Sequence, residues 1–128
     1  PTCGEDSCDM AVFTTHPYEL VNPDALLCAL ASLRDRKPGL LRYDYDDESN
    51  FARDRGYILI LDDGTAIVRG WGHEDLSAWV EDAVQVVLPD PCAFEMCLAE
   101  LDDWKRFDCL RDFPYQQLGV CDEGWLVG

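Results

Sequence analysis

One stretch of the chain restricts the fold more than any other: residues 57–68 read YILILDDGTAIV. An apolar arm at 57–61 is separated from a second arm at 65–68 by the sequence Asp62-Asp63-Gly64. An Asp-Gly pair between two such arms is a strong hairpin signal, because glycine adopts positive φ without steric cost. The first arm is apolar on both faces, which is typical of an interior strand covered by helices. The sequence therefore predicts a central β-hairpin.

Helix signals lie on both sides of this hairpin. Asn22 is suited to be an N-cap and Pro23 to be the first helical residue, and four leucines follow at helical spacing within residues 26–33. Asp90 and Pro91 predict the start of a further helix in the same way. The residues expected to face inward from that helix are Phe94, Cys97, Leu98 and Leu101.

Residues 72–85, GHEDLSAWVEDAVQ, form the third predicted helix. Their apolar residues recur at helical spacing, as they do in an amphipathic helix. We expect one face to be buried through Leu76, Trp79, Val80 and Val84. The opposite face, which we expect to be exposed, holds Glu74, Asp75, Glu81 and Asp82.

Together these signals predict one compact α+β domain over residues 1–128, with an antiparallel sheet built around the hairpin and about three helices packed on it. Residues 10–14 and 40–45 are compatible with further strands, and residues 119–127 with a short terminal hairpin. The chain has 128 residues, of which 48% are hydrophobic, and this suffices for a single core.

Charge is the unusual property of the composition. The chain has 26 Asp and Glu against 10 Lys and Arg, which gives a formal net charge of −16. Such a field repels nucleic acid and anionic membranes and attracts basic surfaces. Direct nucleic-acid binding needs cationic contacts to phosphate and is therefore not expected. No stretch approaches the ~20 apolar residues of a membrane span, and no basic and apolar leader segment is found, so the sequence favours the cytoplasm.

The acids of residues 72–85 suggest a metal site, a docking surface or a solvated face. In a helix, Glu74 and Glu81 would lie roughly 10 Å apart along the axis, which is too far to chelate one ion. A solvated face stays open as an interpretation. However, residues 70–104 contain nine acids and no Lys or Arg, whereas surfaces that serve solubility alone intersperse both signs. This run of one sign favours a docking surface.

A second candidate contact is the acidic segment 44–50, which we predict to be a loop. Its acids are Asp44, Asp46, Asp47 and Glu48, and Tyr43 and Tyr45 lie beside them. Tyrosine beside acids is typical of protein interfaces. An EF-hand calcium loop needs Gly at its sixth position and Glu at its twelfth, and a loop started at Asp44 or Asp46 has neither. The alternatives are a mobile acidic loop and an acidic contact loop.

Seven cysteines, an odd number, and the lack of a secretion signal favour reduced thiols. Cys28, Cys97 and Cys109 fall in apolar patterns and are expected to be buried as small hydrophobic residues. Cys3 and Cys8, followed by His16, have a spacing compatible with zinc, so a metal at these residues stays open. We predict no cofactor and assign no metal ligand.

Catalytic signatures are missing from the sequence, which has no G-x-S-x-G, no H-E-x-x-H and no phosphate-binding loop. Only His16 and His73 have side chains that ordinarily titrate near neutrality, and a pair such as Cys92 with His73 stays open. A small Cys/His-dependent enzyme or a zinc-binding domain is therefore the alternative hypothesis.

The leading hypothesis is a non-enzymatic acidic inhibitor that binds the basic surface or active site of a nucleic-acid-processing protein. The partner would be a nuclease, a toxin or a defence enzyme, because a protein that holds DNA or RNA must present Lys and Arg. The size and charge of the chain resemble those of toxin-immunity proteins and of phage anti-defence (anti-CRISPR) proteins. That resemblance is one of size and charge and not of motif.

Overall fold

A computed structural model of the protein describes residues 8–15, 18–47, 52–74 and 77–120. These ranges contain eight strands and three helices. The strands are β1 (Ala11–Thr15), β2 (Tyr18–Leu20), β3 (Gly39–Asp47), β4 (Ala52–Ile60), β5 (Thr65–Glu74), β6 (Ser77–Val80), β7 (Val84–Val87) and β8 (Gln116–Val120). The helices are α1 (Pro23–Asp35), α2 (Pro91–Ala99) and α3 (Asp103–Arg111).

The strands form one mixed sheet in the order β2-β1-β3-β4-β5-β7-β8, and β6 also pairs with β5. β1 and β3 run parallel, because β2 and α1 return the chain to the same direction between them. The other pairs are antiparallel. The predicted α+β class is confirmed, although the sheet is mostly and not entirely antiparallel.

The predicted central hairpin is confirmed as β4 and β5. Its turn has Gly64 at φ 82°, a conformation that favours glycine. The Asp63 carboxylate accepts hydrogen bonds from the backbone N–H of Thr65 over 2.9 Å and from its hydroxyl over 2.6 Å. These bonds lower the pKa of Asp63, because they stabilise its ionised form. β5 continues well beyond the predicted arm, to Glu74.

The predicted helix over residues 72–85 is wrong, because this segment contains the end of β5, then β6, and the start of β7. The long β5 offers unpaired backbone groups along one edge, and extended segments satisfy them where a helix would not. Trp79 and Val80, which we expected to be buried, are 39% and 66% exposed. Val84 is half-buried.

Three further residues of that predicted helix have different outcomes. Glu81 and Asp82 are exposed, as predicted. Leu76 lies outside the described residues.

The predicted start of α1 is confirmed, but Asn22 does more than occupy the N-cap position. Its side-chain oxygen accepts a hydrogen bond from the backbone N–H of Val12 over 2.9 Å, and its amide nitrogen donates to the carbonyl oxygen of Met10. The start of the helix is thereby attached to the chain entering β1. The core between the helices and the sheet includes Phe13, Leu30, Ile58, Phe94 and Phe107.

α2 begins as predicted, with the Asp90 carboxylate accepting from the backbone N–H of Cys92 over 2.8 Å. It ends at Ala99, so Leu101 is 90% exposed and its predicted inward position is wrong. Instead α3, capped by Asp102, places Phe107 in the core.

Within the described residues, no helix combines the length and the apolar character that a membrane crossing requires.

Among the cysteines that the structure describes, two disulfides correct the prediction of reduced thiols. Cys8 is bonded to Cys28, which joins the chain before β1 to α1, and Cys97 is bonded to Cys109, which joins α2 to α3. Cys92 is an exposed free thiol. An odd number of cysteines excludes only the pairing of all of them within one chain. The sequence does not reveal which cysteines come together, because the bonded partners are distant in sequence.

Candidate functional site

One edge of β5 is covered by two short strands with a break between them. β7 pairs with residues 65–68 of β5 and β6 pairs with residues 71–74, while residues 81–83 belong to neither strand. At this break the backbone N–H of Glu81 donates to the carbonyl oxygen of Gly70 over 2.9 Å. Irregular positions in strand pairing redirect side chains and are common next to functional sites. Here the break brings the Glu81 carboxylate over Gly70.

A cavity of about 330 Å³ lies beside this break. The sheet provides an apolar part of its lining, and the chain from the end of α3 to β8 provides much of the remainder. Its apolar lining includes Ile58, Val68, Val84 and Leu110. Its polar lining includes Tyr43, Glu81, Asp82, Asp112 and Tyr115. Asp82, Asp112 and Tyr115 are exposed, so the cavity opens to solvent on their side.

Tyr43 extends across the sheet beneath this cavity. Tyr43 and Gly56 are directly opposite on β3 and β4, and Gly56 and Gly70 are directly opposite on β4 and β5. A Cβ on Gly56 would lie 2.5 Å from Cζ of Tyr43, so only glycine accommodates the ring there. A Cβ on Gly70 would lie 3.4 Å from the Tyr43 hydroxyl and 2.5 Å from Oε1 of Glu81. Both polar groups therefore converge over the backbone of Gly70.

The Tyr43 side chain is largely buried, and its hydroxyl faces the cavity. Tyr43 is 8% exposed, and no atom of the described residues forms a hydrogen bond with its hydroxyl. Burial raises the pKa of Tyr43, and the negative charges of Asp54 and Glu81 raise it further. The phenol is therefore neutral near pH 7, and its oxygen is available to accept from, or donate to, a group in the cavity.

Two arginines also line the cavity, and both are held by the chain. Arg111 donates to Asp54 over 2.7 Å and to Asp108 over 2.5 Å. Burial lowers the pKa of Arg111, but these bonds outweigh it, so that its pKa is raised. The Nε of Arg69 donates to the carbonyl oxygen of Glu81 over 3.1 Å.

The carboxylates that line the cavity have a different environment. Across the part of the chain that the structure describes, none of Glu81, Asp82 and Asp112 forms an ion pair. The lining thus combines three carboxylates, which outnumber its two arginines, with a hydroxyl that faces the cavity, and it is suited to hold a cation.

The segment 44–47, predicted as part of an acidic loop, is instead the end of β3. Asp44 is directly opposite Arg55, and its carboxylate accepts from Arg53 over 2.7 Å and lies 3.6 Å from Arg55. Asp47 accepts from the hydroxyl of Thr15 over 2.8 Å. Both acids are buried. They became part of a strand because β4 provides the matching backbone partners and cations, and their carboxylates are engaged inside the chain.

The other predicted contact residues are dispersed. Tyr45 is half-buried, with its ring centroid 5.2 Å from that of Trp104. Asp46 is half-buried, and Glu48 lies outside the described residues. Glu74 is the last residue of β5, and Asp75 lies outside the described residues.

Of the predicted contact residues, the structure therefore brings Glu81 and Asp82 to the cavity. Their neighbours at the cavity, Tyr43, Gly70 and Asp112, were not predicted to lie beside them. Glycine inside a strand pattern indicates a close approach by another group, and Gly56 and Gly70 carried that signal.

Among the described residues, no group of three His, Cys, Asp or Glu side chains is placed to hold a metal ion. No family model matches the chain, and neither a curated protein nor a solved structure matches it.

Proposed function

We propose that this protein is a non-enzymatic acidic inhibitor that docks on the basic surface or active site of a nucleic-acid-processing protein. The observation that carries the proposal is the division of charges in the fold. Arginines bond to oxygen atoms of their own chain, whereas the carboxylates around the cavity are left for a partner.

The engagement of the arginines is extensive. Arg34 pairs with Asp35 and Glu95, and this pairing raises the pKa of Arg34. Arg36 and Arg106 donate to backbone carbonyl oxygens. Arg53 and Arg55 pair with Asp44, and Arg111 pairs with Asp54. Arg69 donates to the carbonyl oxygen of Glu81. The excess negative charge of the chain therefore faces outward with little local compensation.

The surface at the cavity also has the composition of a contact site. The exposed acids Glu81, Asp82 and Asp112 lie among the exposed apolar side chains of Tyr115 and Val120. A groove that binds DNA or RNA presents Lys and Arg to phosphate, and a rigid acidic surface competes for the same cations.

A capture experiment from bacterial lysate tests the proposal, with the full chain immobilised at low and at high salt. The site variant is E81K/D82K. The matched control is E19K/D62K, which makes the same charge change at two exposed acids away from the cavity. The expected partner is a basic nucleic-acid-processing protein that the wild type and the control retain, that the site variant loses, and that added DNA or RNA displaces.

Two results would contradict the proposal. One is that captured proteins are neutral or acidic and insensitive to salt. The other is that nucleic acid fails to displace the partner, because the chain would then bind the partner outside its nucleic-acid groove.

A further inference from the structure

We infer that the cavity between the β6–β7 break and the end of α3 receives one arginine side chain of the protein partner. The inference rests on the proposed function, because it names the group that a basic partner would insert. It depends on the charge of the cavity, on the Tyr43 hydroxyl and on the shape of the lining.

The charge of the cavity selects a cation. Glu81, Asp82 and Asp112 line it without an ion pair among the described residues. The guanidinium of Arg111 is held between Asp54 and Asp108, so these two acids offset its charge. The three carboxylates outnumber Arg69, the other cation of the lining. An anionic group would therefore meet net repulsion, whereas a cation would offset the excess negative charge.

The Tyr43 hydroxyl is the independent observation that points to a ligand. It is a polar group on a side chain more than nine-tenths buried, it lines the cavity, and no described residue bonds to it. Because the hydroxyl faces the cavity and has no partner in the described chain, a ligand in the cavity can hydrogen-bond to it. The hydroxyl and the Glu81 carboxylate approach the same point above Gly70, where the absence of a side chain makes room for the carboxylate itself.

The shape of the lining favours arginine over lysine. Ile58, Val68 and Val84 provide apolar contacts for the methylene groups of a long side chain. A planar guanidinium can donate to Glu81 and to the Tyr43 oxygen at the same time, because its N–H groups point in fixed, diverging directions. A volume of about 330 Å³ lies at the lower end of ligand cavities and suits one side chain.

Titration with blocked amino acids, followed by backbone amide NMR, tests the inference without any partner. The probe is N-acetyl-arginine amide, and the matched probe is N-acetyl-citrulline amide, which has a similar shape and no charge. We expect saturating shifts at Gly70 and Glu81 with the arginine probe, and no saturation with the citrulline probe. N-acetyl-lysine amide should bind more weakly than the arginine probe.

Three variants locate the binding. Glu81→Gln should weaken the arginine probe about tenfold, as expected for loss of a hydrogen bond to a charged group. Tyr43→Phe removes only the hydroxyl and should weaken it by a smaller factor. Gly70→Ala keeps every charge but displaces the Glu81 carboxylate, and it should prevent saturation. Glu19→Gln, an exposed acid away from the cavity, should change nothing.

Several outcomes overturn the inference. These are a lack of localised shifts with the arginine probe, equal binding of citrulline or lysine, and unchanged binding in Glu81→Gln. Tighter binding of free arginine than of the blocked amide would assign the cavity to a free small molecule and not to a protein side chain. Failure of the proposed function looks different, because the probe then binds normally while the lysate yields no basic partner.

Discussion

Nη1 of Arg111, at the end of α3, lies 2.7 Å from Oδ2 of Asp54 on β4. The same guanidinium bonds to Asp108 and lies with its Cζ 5.4 Å from the centre of the Trp104 ring. This contact fixes the end of α3 against the sheet and thereby fixes one wall of the cavity. Asp54 also offsets the positive charge of Arg111, which would otherwise offset the cavity carboxylates. The Arg111–Asp54 pair therefore affects both the packing and the charge of the cavity.

The two glycines beneath the cavity should respond differently to the same substitution. Gly56→Ala should destabilise the fold by about 1–3 kcal/mol, because its Cβ would overlap the buried ring of Tyr43. Gly70→Ala should stay within about 0.5 kcal/mol of wild type, because its Cβ meets the mobile end of the Glu81 side chain. Denaturant unfolding of both variants measures this. Equal losses would show that Tyr43 does not lie against Gly56.

Asp44 is a buried acid that is paired within the chain, whereas Asp82 is an exposed acid that could contact a partner. Asp44→Asn should cost about 1.5–3 kcal/mol, since it removes a buried acceptor of charge-assisted bonds from Arg53. Asp82→Asn should change the free energy of unfolding by less than about 0.5 kcal/mol, since its side chain is exposed and bonds to no described residue. Urea titrations of the two variants give both values. A stable Asp44→Asn variant would return Asp44 to the set of contact residues.

The Cys97–Cys109 disulfide should stabilise the pair of helices α2 and α3. Replacing both cysteines by serine should lower the free energy of unfolding by about 3 kcal/mol, because the loop between them gains freedom in the unfolded chain. Cys92→Ser, at the exposed free thiol, is the control and should have little effect. Peptide mapping without reduction should recover 97 linked to 109 and 8 linked to 28, and reduced thiols at these positions in protein from cells would contradict the assignment.

Stability should fall at high pH because of Tyr43. Its pKa is raised in the folded protein, so the folded state holds the phenolic proton more tightly than the unfolded state does. The contribution of Tyr43 is therefore complete below about pH 10 and is lost as the pH rises above that value. Unfolding measured from about pH 8 to about pH 11 should show a slope up to about 1.4 kcal/mol per pH unit steeper in wild type than in Tyr43→Phe. Parallel curves would mean that the hydroxyl is solvated.

The fold was predictable where the signal was local. The Asp63-Gly64 turn and the helix starts at Pro23 and Pro91 each depend on a few adjacent residues, and all three are confirmed. Residues 72–85 failed because their apolar spacing fits a helix, while the open edge of β5, which decides their structure, lies elsewhere in the sequence. α3 was missed although Asp102 provides a capping carboxylate.

The same distinction applies to the candidate site. Glu81 and Asp82 were predicted as contact residues because they lie in a run of acids without Lys or Arg, which the sequence alone reveals. The cavity itself depends on Tyr43 and Gly70, which come together through strand register and not through spacing along the chain. The ion pairs of Asp44 were not predicted, because its partners Arg53 and Arg55 become its neighbours only when β3 and β4 pair.

The association rate with the captured partner, measured at several salt concentrations, tests the central claim most directly. The E81K/D82K variant should associate at least about tenfold more slowly than wild type, because both reversed charges lie at the contact. Its rate should also depend less on salt than that of wild type. The matched E19K/D62K variant should stay close to wild type in both respects. Equal losses in the two variants would contradict a local docking site and assign the attraction to overall charge.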